Sequence, residues 1–350
     1  MRTELDEAMD RTLAALSAPG GPAALGEVVR DGRPYPVIAG APPTLPAYFA
    51  HYCAAHGDAE FLVAGEERLS FAAVGATAGR VARALVAGGV KPGDRVGIAM
   101  RNSPSWILLY MGIVSAGGIA CLLNGWWQRQ ELAQAIADVG CTLVFADGPR
   151  MGRLDGIDAR VVAIDDTLPL DAALAPLLAR EADVALPAIG PEDPATILFT
   201  SGSTGRSKGA LSEHRAVVQG TFNFLASALT MLGIATQLGT PPQGQPTTLL
   251  NLPLFHVTAE VAVLLQSFAM GRKLVLMAKW DAAEAMRLIE AERVTYFVGV
   301  PLMSFEILTH SDRAKYDLST VTDFAAGGAP RPAEHVRRIQ EEMDGGAPLI

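Results

Sequence analysis

A strand-like run, Thr196-Ile197-Leu198-Phe199, leads directly into Thr200-Ser201-Gly202-Ser203-Thr204-Gly205-Arg206-Ser207-Lys208-Gly209. Glycines let the backbone turn so that several N–H groups aim at one point, hydroxyls add donors at short reach, and a lysine supplies positive charge. That combination suits a polyphosphate. Thr200, Ser201, Ser203, Thr204 and Lys208, with the amides of Gly202 and Gly205, are the candidate phosphate contacts. Four residues do not separate Gly202 from a Gly-Lys pair, so the spacing disfavours a Walker-type ATPase. Taken alone, a Gly/Ser-rich turn is also what a flexible surface loop contains. An isolated His256 is likewise what many hydrogen-bonded cores and surfaces hold.

The segments that must hold such a loop alternate in type. Apolar residues at helical spacing run through 71–86, including Val74, Val81 and Leu85, and Gly88-Gly89 stops that helix. A strand at 96–100, a helix through Trp106 and Tyr110 and a strand at 119–123 give a βαβ pattern, which implies a parallel sheet. Residues 106–123 are uncharged and long enough to raise a membrane span, but Ser115, Gly117 and Gly118 interrupt them; they read as a buried helix followed by a buried strand. A helix face at Leu132, Ala135, Ile136 and Val139 closes at Gly140 before strands at 142–145 and 160–164. Periodicity is lost between 183 and 193, where prolines gather, and a subdomain boundary is expected near 190. Later strands are read at 195–199, 248–252, 273–277 and 295–298. Asp281 with Glu284 marks a helix start, and Val336, Ile339 and Met343 form the stripe of a last helix. At the other end, Leu5, Met9, Leu13 and Leu16 give an amphipathic helix its apolar face. The glycine- and proline-rich stretch 239–246 reads as a mobile loop. The expected fold is α/β, with two stacked subdomains of largely parallel sheets flanked by helices: an extension over 1–45, a first subdomain over 46–188 and a second over 189–350.

Residues 198–209 closely resemble the signature of the adenylate-forming superfamily, which includes acyl-CoA synthetases, luciferases and peptide-synthetase adenylation domains. Ser207 stands where many members have Pro, a change expected to affect loop stiffness rather than phosphate chemistry. Pro253-Leu254-Phe255-His256 resembles the motif whose aromatic residue and His line the acyl site. Gly299-Val300-Pro301 is similar to the strand-end segment beside the substrate, and Gly327-Gly328-Ala329-Pro330 to the segment whose backbone packs along adenine. Leu69-Ser70-Phe71 and Lys91-Pro92-Gly93-Asp94-Arg95-Val96 also match, so the resemblance covers nearly the whole chain after about residue 45.

The resemblance implies a ligase that activates a carboxylic acid with ATP and Mg²⁺ through an acyl-adenylate and then passes the acyl group to the thiol of CoA, as in fatty acid metabolism. It casts Lys208 and His256 as catalytic, Phe255, His256, Gly299, Val300 and Pro301 as substrate contacts, and Gly327, Gly328, Ala329 and Pro330 as nucleotide contacts. Amino-acid-activating members place an Asp where His256 stands, so a fatty or aryl acid is expected. The apolar run from Val261 to Leu265 suits an uncharged chain, as it would any core helix. Family members continue past 346–349 into a Tyr-Gly-x-Thr-Glu motif serving the α-phosphate and Mg²⁺, a ribose-binding Asp, and a lid domain with a catalytic Lys. No metal ligand is therefore assigned within these residues, the sequence reads as an incomplete amino-terminal domain, and it is expected to be inactive alone. Transfer to a carrier protein and a non-catalytic nucleotide- or acyl-binding module are the alternative readings.

Composition is that of a well-packed globular protein. Over 350 residues, half are apolar and 19% charged, too apolar a balance for overall disorder. The net charge of −9 is spread in short stretches without a Lys/Arg cluster, which disfavours nucleic acid as a partner. Cys53, Cys121 and Cys141 are too few and too scattered for a disulfide framework or a zinc site, so a reducing cytoplasm is expected, with Cys121 and Cys141 as buried fillers. Residues 1–10 lack the apolar core of a secretory signal, and no transmembrane segment is read. The apolar edge expected near Ile350 suggests self-association, with a homodimer as its simplest form.

Overall fold

A computed structural model describes residues 3–200 and 207–343. An antiparallel hairpin comes first, β1 (Leu25–Arg30) with β2 (Arg33–Ile38). The remaining strands are β3 (Glu60–Ala64), β4 (Glu67–Ser70), β5 (Arg95–Ala99), β6 (Ile119–Leu122), β7 (Leu143–Asp147), β8 (Arg160–Ile164), β9 (Pro194–Phe199), β10 (Gly209–Glu213), β11 (Thr247–Leu250), β12 (Lys273–Leu276), β13 (Tyr296–Gly299) and β14 (Asp323–Ala326). They form two six-stranded sheets, ordered β10-β9-β6-β5-β7-β8 and β14-β13-β11-β12-β3-β4. Each is parallel except at one edge, where β10 and β4 run antiparallel to β9 and β3.

The sheets do not follow the expected division at residue 189. β3 and β4 come from the first segment yet join the second sheet, with Leu62 opposite Leu274. β9 and β10 come from the second segment yet extend the first, with Cys121 opposite Ile197. The proline-rich stretch before β9 is a connection within one sheet. Loss of periodicity marks where an element ends, and carries no information about which sheet the next strand will join.

Residues 106–123 resolve into the helix Pro104–Ser115 and β6. Ser103 caps that helix by accepting from Trp106 N at 3.2 Å, and Pro104 occupies the first turn, where its missing N–H is not needed. The helix is apolar all round because it is buried all round. It packs with the helices Leu45–His56, Phe71–Ala87, His214–Gln237 and Thr258–Met270 in one continuous core that both sheets share. Cys53, Cys121 and Cys141 are buried free thiols.

The amino-terminal helix, Glu4–Ser17, forms as expected but turns a different face inward. Leu5, Met9 and Leu13 are exposed, whereas Ala8 and Thr12 are buried against His214–Gln237. Gln237 Nε2 donates to Thr12 Oγ1 at 2.7 Å and Arg11 Nε donates to Gln237 Oε1 at 2.8 Å. A Cβ on Gly233 would stand 2.4 Å from Thr12 Cγ2, so close backbone approach and these polar contacts decide the docking face over the leucine stripe. His214–Gln237 is, by length and composition, the one helix among the described residues able to cross a membrane; here Val217, Val218, Phe222 and Leu225 bury its apolar side in the core.

Candidate functional site

The candidate residues lie in loops that follow the carboxyl ends of the parallel strands, where open α/β sheets bind ligands. At the end of β9, Thr200 N donates to Lys208 O at 3.0 Å and Lys208 N donates to Thr200 Oγ1 at 3.3 Å, one step beyond the Phe199–Gly209 pair. β9 and β10 are thus an antiparallel pair with Thr200 and Lys208 facing each other at its end, and β10 is a strand the sequence pattern did not disclose. Thr200 and Lys208 are exposed there. Ser201, Gly202, Ser203, Thr204 and Gly205 lie outside the described residues.

Beside this pair, the loop after β6 carries two tryptophans. Trp127 meets Phe199 edge-on at 5.3 Å between ring centroids, and Trp126 meets Phe255 at 5.4 Å and His256 at 6.2 Å. One loop therefore touches both the end of β9 and the Phe-His motif. Two arginines hold it. Arg150 Nε donates to Gly125 O at 2.9 Å, and Arg153 Nη1 donates to Gly125 O and Trp127 O at 3.1 and 3.0 Å. Arg150 is fixed in turn by the fully buried Asp147, whose carboxylate also accepts from Arg101 N at 2.8 Å.

Asn102 ties the sheets together. Its Nδ2 donates to Leu252 O at 2.8 Å and its Oδ1 accepts from Leu254 N at 2.9 Å, so a residue of the loop after β5 fixes the backbone that presents Phe255 and His256. Phe255 is buried and His256 is exposed at its outer edge, with the two rings 4.7 Å apart. Partial desolvation on the inner side lowers the imidazole pKa below its ordinary value. His256 is consequently neutral at physiological pH. Its carbonyl accepts from Ala259 N and Glu260 N and so opens the next helix, whose first part, Thr258–Leu265, winds as a π-helix, a form found often at functional sites.

The other two segments meet across β13 and β14. Gly299 pairs with Ala326, and Gly327 N donates to Gly299 O at 3.1 Å. A Cβ on Gly327 would come 3.7 Å from Thr258 Cγ2, and one on Gly328 would come 3.6 Å from Val300 Cγ1. Thr258 therefore brings the His256 segment to Gly327, which in turn pairs with Gly299. Gly328 has φ of +79°, which L side chains rarely adopt, and Ala329 and Pro330 continue from it exposed. The structure thus brings together Phe255 and His256 with Trp126, and Gly299 and Val300 with Gly327, Gly328 and Thr258; Pro301 starts the helix Pro301–Thr309 from the same corner. Among the described residues no three His, Cys, Asp or Glu side chains gather at a point able to hold a metal ion.

Trp126, Asn102 and Glu260 escaped the sequence reading. Adjacent tryptophans after Asn124-Gly125 were a legible signal, because a loop seldom carries two such costly aromatics without use for them. Asn102 gave none. Glu260 lay inside an apolar run, yet it is fully buried, accepts from Tyr110 OH at 2.8 Å through Oε1, and leaves Oε2 without a partner among the described residues. Burial pushes its carboxyl up to about 7.

Comparison with known proteins shows the family. The family described as AMP-binding enzyme matches residues 49–350. A probable CoA ligase of Humulus lupulus, CCL5, is 29% identical over 299 residues, covering 82% of this chain and 52% of its own. A 3-[(3aS,4S,7aS)-7a-methyl-1,5-dioxo-octahydro-1H-inden-4-yl]propanoyl:CoA ligase of Rhodococcus jostii is 28% identical over 326 residues, covering 86% and 61%. Among solved structures, the inhibitor-bound N-terminal domain of FACL13 from Mycobacterium tuberculosis superposes with a TM-score of 0.73 at 25% identity, covering 85% of this chain and 73% of that one. The chain spans between half and two thirds of the length of these curated relatives. With the family match running through every segment gathered at the strand ends, the chain belongs to the AMP-binding enzyme family.

Proposed function

We propose that this chain provides the nucleotide- and acid-binding part of an AMP-forming acyl-CoA ligase acting on a fatty or aryl carboxylic acid. In the first step a carboxylate oxygen attacks the α-phosphorus of ATP, the bond to the β-phosphate oxygen breaks, and pyrophosphate leaves. In the second the thiol of CoA attacks the acyl carbon, losing its proton, and AMP leaves. The observation that carries the reading is the convergence of Phe255-His256, Gly299-Val300 and Gly327-Gly328 at one set of strand ends, next to a loop based on Thr200 and Lys208.

Joining two anions requires that repulsion be screened and that charge on the transferred phosphoryl group be stabilised. Lys208, the Thr200 hydroxyl and the donors of Ser201, Gly202, Ser203, Thr204 and Gly205 would serve the phosphates. Mg²⁺, when bound, would add charge neutralisation there. Gly327-Gly328-Ala329-Pro330 offers a face without bulky side chains for the adenine plane. His256, neutral and beside the ring of Phe255, would border the carboxylate without holding it in a salt bridge. An ammonium group on the substrate would find no carboxylate at that place, which favours an acid without an α-amino group.

Equilibrium binding to the 350-residue chain tests this reading. A hydrolysis-resistant acyl-sulfamoyl-adenosine should bind at least about tenfold more tightly than AMP, and Lys208→Ala should weaken ATP binding about tenfold or more, as loss of a charge-assisted contact implies. An analogue no tighter than AMP, or ATP affinity indifferent to Lys208, would overturn it.

A further inference from the structure

The buried segment 102–115 reaches the Phe255–His256 turn at two places. Asn102, just before the cap residue Ser103, holds Leu252 O and Leu254 N on the entry side of that turn. About two helical turns further along, Tyr110 OH donates to Glu260 Oε1 at 2.8 Å on the exit side. Glu260 is also tied to His256 through its backbone, because its N–H donates to His256 O at 2.9 Å. The carboxyl of Glu260 therefore hooks the first turn after His256 onto a buried helix.

Packing explains neither partner. The Tyr110 ring is fixed without its hydroxyl, stacked on Trp106 at 5.5 Å between centroids and meeting Phe49 edge-on at 6.2 Å. Glu260 is fully buried with one carboxyl oxygen open, and a leucine would fill that place without the cost of desolvating a carboxyl. What the pair adds is direction. Thr258–Leu265 has the wide π winding, which is rare on its own and needs contacts from outside to hold it. Tyr48 OH supplies one at the far end, donating to Leu265 O at 2.5 Å, and Tyr110 supplies one at the near end. A turn held only by Asn102 is free to pivot about its entry. Held at Glu260 as well, it presents His256 beside Phe255 and Thr258 towards Gly327 in one orientation.

We propose that Tyr110 and Glu260 are positioning residues for acid activation: together with Asn102 they clamp the Phe255–His256 turn at both ends and fix the direction in which His256 meets the carboxylate. They touch no substrate and act through the backbone of His256. The proposal rests on the acid-activation reading above and deepens it at the same site.

Binding to the 350-residue chain tests it through the ratio of two affinities: that of the tighter of decanoyl- and benzoyl-sulfamoyl-adenosine, whose acyl end borders His256, and that of AMP, which lacks an acyl end. Tyr110→Phe and Glu260→Leu should each lower this ratio about fivefold, and the double variant should lower it no further, because each change removes the same contact. Glu260→Gln, which keeps an acceptor for Tyr110 OH, should hold the ratio within about twofold of the parent. Tyr48→Phe removes a hydrogen bond of the same helix at the end remote from His256. It should lower the melting temperature and leave the ratio unchanged, a split that a purely structural role of Tyr110 would not give. Should either single variant fail to fold, the double variant decides, since it leaves neither group unpaired. An unchanged ratio in the double variant, or an equal fall with Tyr48→Phe, overturns the positioning role and leaves the acid-activation reading standing; an unaltered chain that binds neither acyl conjugate more tightly than AMP removes both.

Discussion

Burial lowers the pKa of His256, and of the rings beside it Trp126 is the one that the fold could spare. The indole is 62% exposed, so its contribution to folding is small, yet its edge contacts reach Phe255 and His256. Each aromatic contact contributes about 0.5–1.5 kcal/mol. Trp126→Ala should therefore weaken binding of an acyl-sulfamoyl-adenosine about tenfold, with little change in melting temperature; calorimetric titration beside a thermal melt separates the two effects. Glu260 makes a different claim. Folded, its carboxyl keeps its proton up to about 7, while the unfolded chain releases it near 4.5. The folded state binds the extra proton between those values, so this contribution is full below pH 4.5 and is lost as pH rises to 7, by about 3 kcal/mol. Glu260→Gln keeps an acceptor for Tyr110 and removes the titration. Its stability relative to the parent should climb from pH 5 to pH 8 in urea unfolding and level off above that; a constant difference would show that Glu260 does not titrate in this range.

At the scale of elements, the site depends on loops that belong to different sheets. Asn102 follows β5 of one sheet and holds the backbone after β11 of the other. Asn102→Leu preserves volume but leaves Leu254 N–H and Leu252 C=O without their partner, a loss of about 2–4 kcal/mol. The urea midpoint should fall with an unchanged slope, and analogue binding should weaken more than Trp126→Ala weakens it, because both Phe255 and His256 move with their backbone. The β9–β10 pair holds Thr200 and Lys208 across from each other in a comparable way.

For the molecule as a whole, interleaving of the two sequence halves is the governing fact. A chain cut at residue 188 would keep β3 and β4 without β12, and would leave β6 without β9. Such a piece, expressed alone, should show no cooperative melt and should expose the strand edges that β9 and β12 normally pair. A sharp transition from the 46–188 fragment would contradict this. A lone histidine adds an acid limit to the assembled chain. His214 accepts from Leu45 N through Nδ1, and burial lowers its pKa to about 4, so its share of stability is full above pH 6.5 and is lost as pH falls towards 4.

The sequence alone determined the order and type of most elements and which functional groups the Thr200–Lys208 and Phe255–His256 segments carry. Both are local properties: apolar spacing reports which face of an element is buried, and a glycine-hydroxyl-lysine run carries its donors wherever it is placed. Helix ends were legible for the same reason, as at Asp281, whose side chain accepts from Glu284 N, and at Gly140 in its left-handed cap. Tertiary structure alone decided the partners. Burial of Leu62 is satisfied by any apolar strand, and only packing of the whole chain selects Leu274. The same applies to Leu5, Met9 and Leu13, whose stripe lost to the polar and close-packed contacts of Ala8, Thr12 and Gly233. Trp126, Asn102 and Glu260 acquire meaning from neighbours distant in sequence, because hydrogen bonds and ring contacts across sheets are set by where the strands end and not by the residues that flank them.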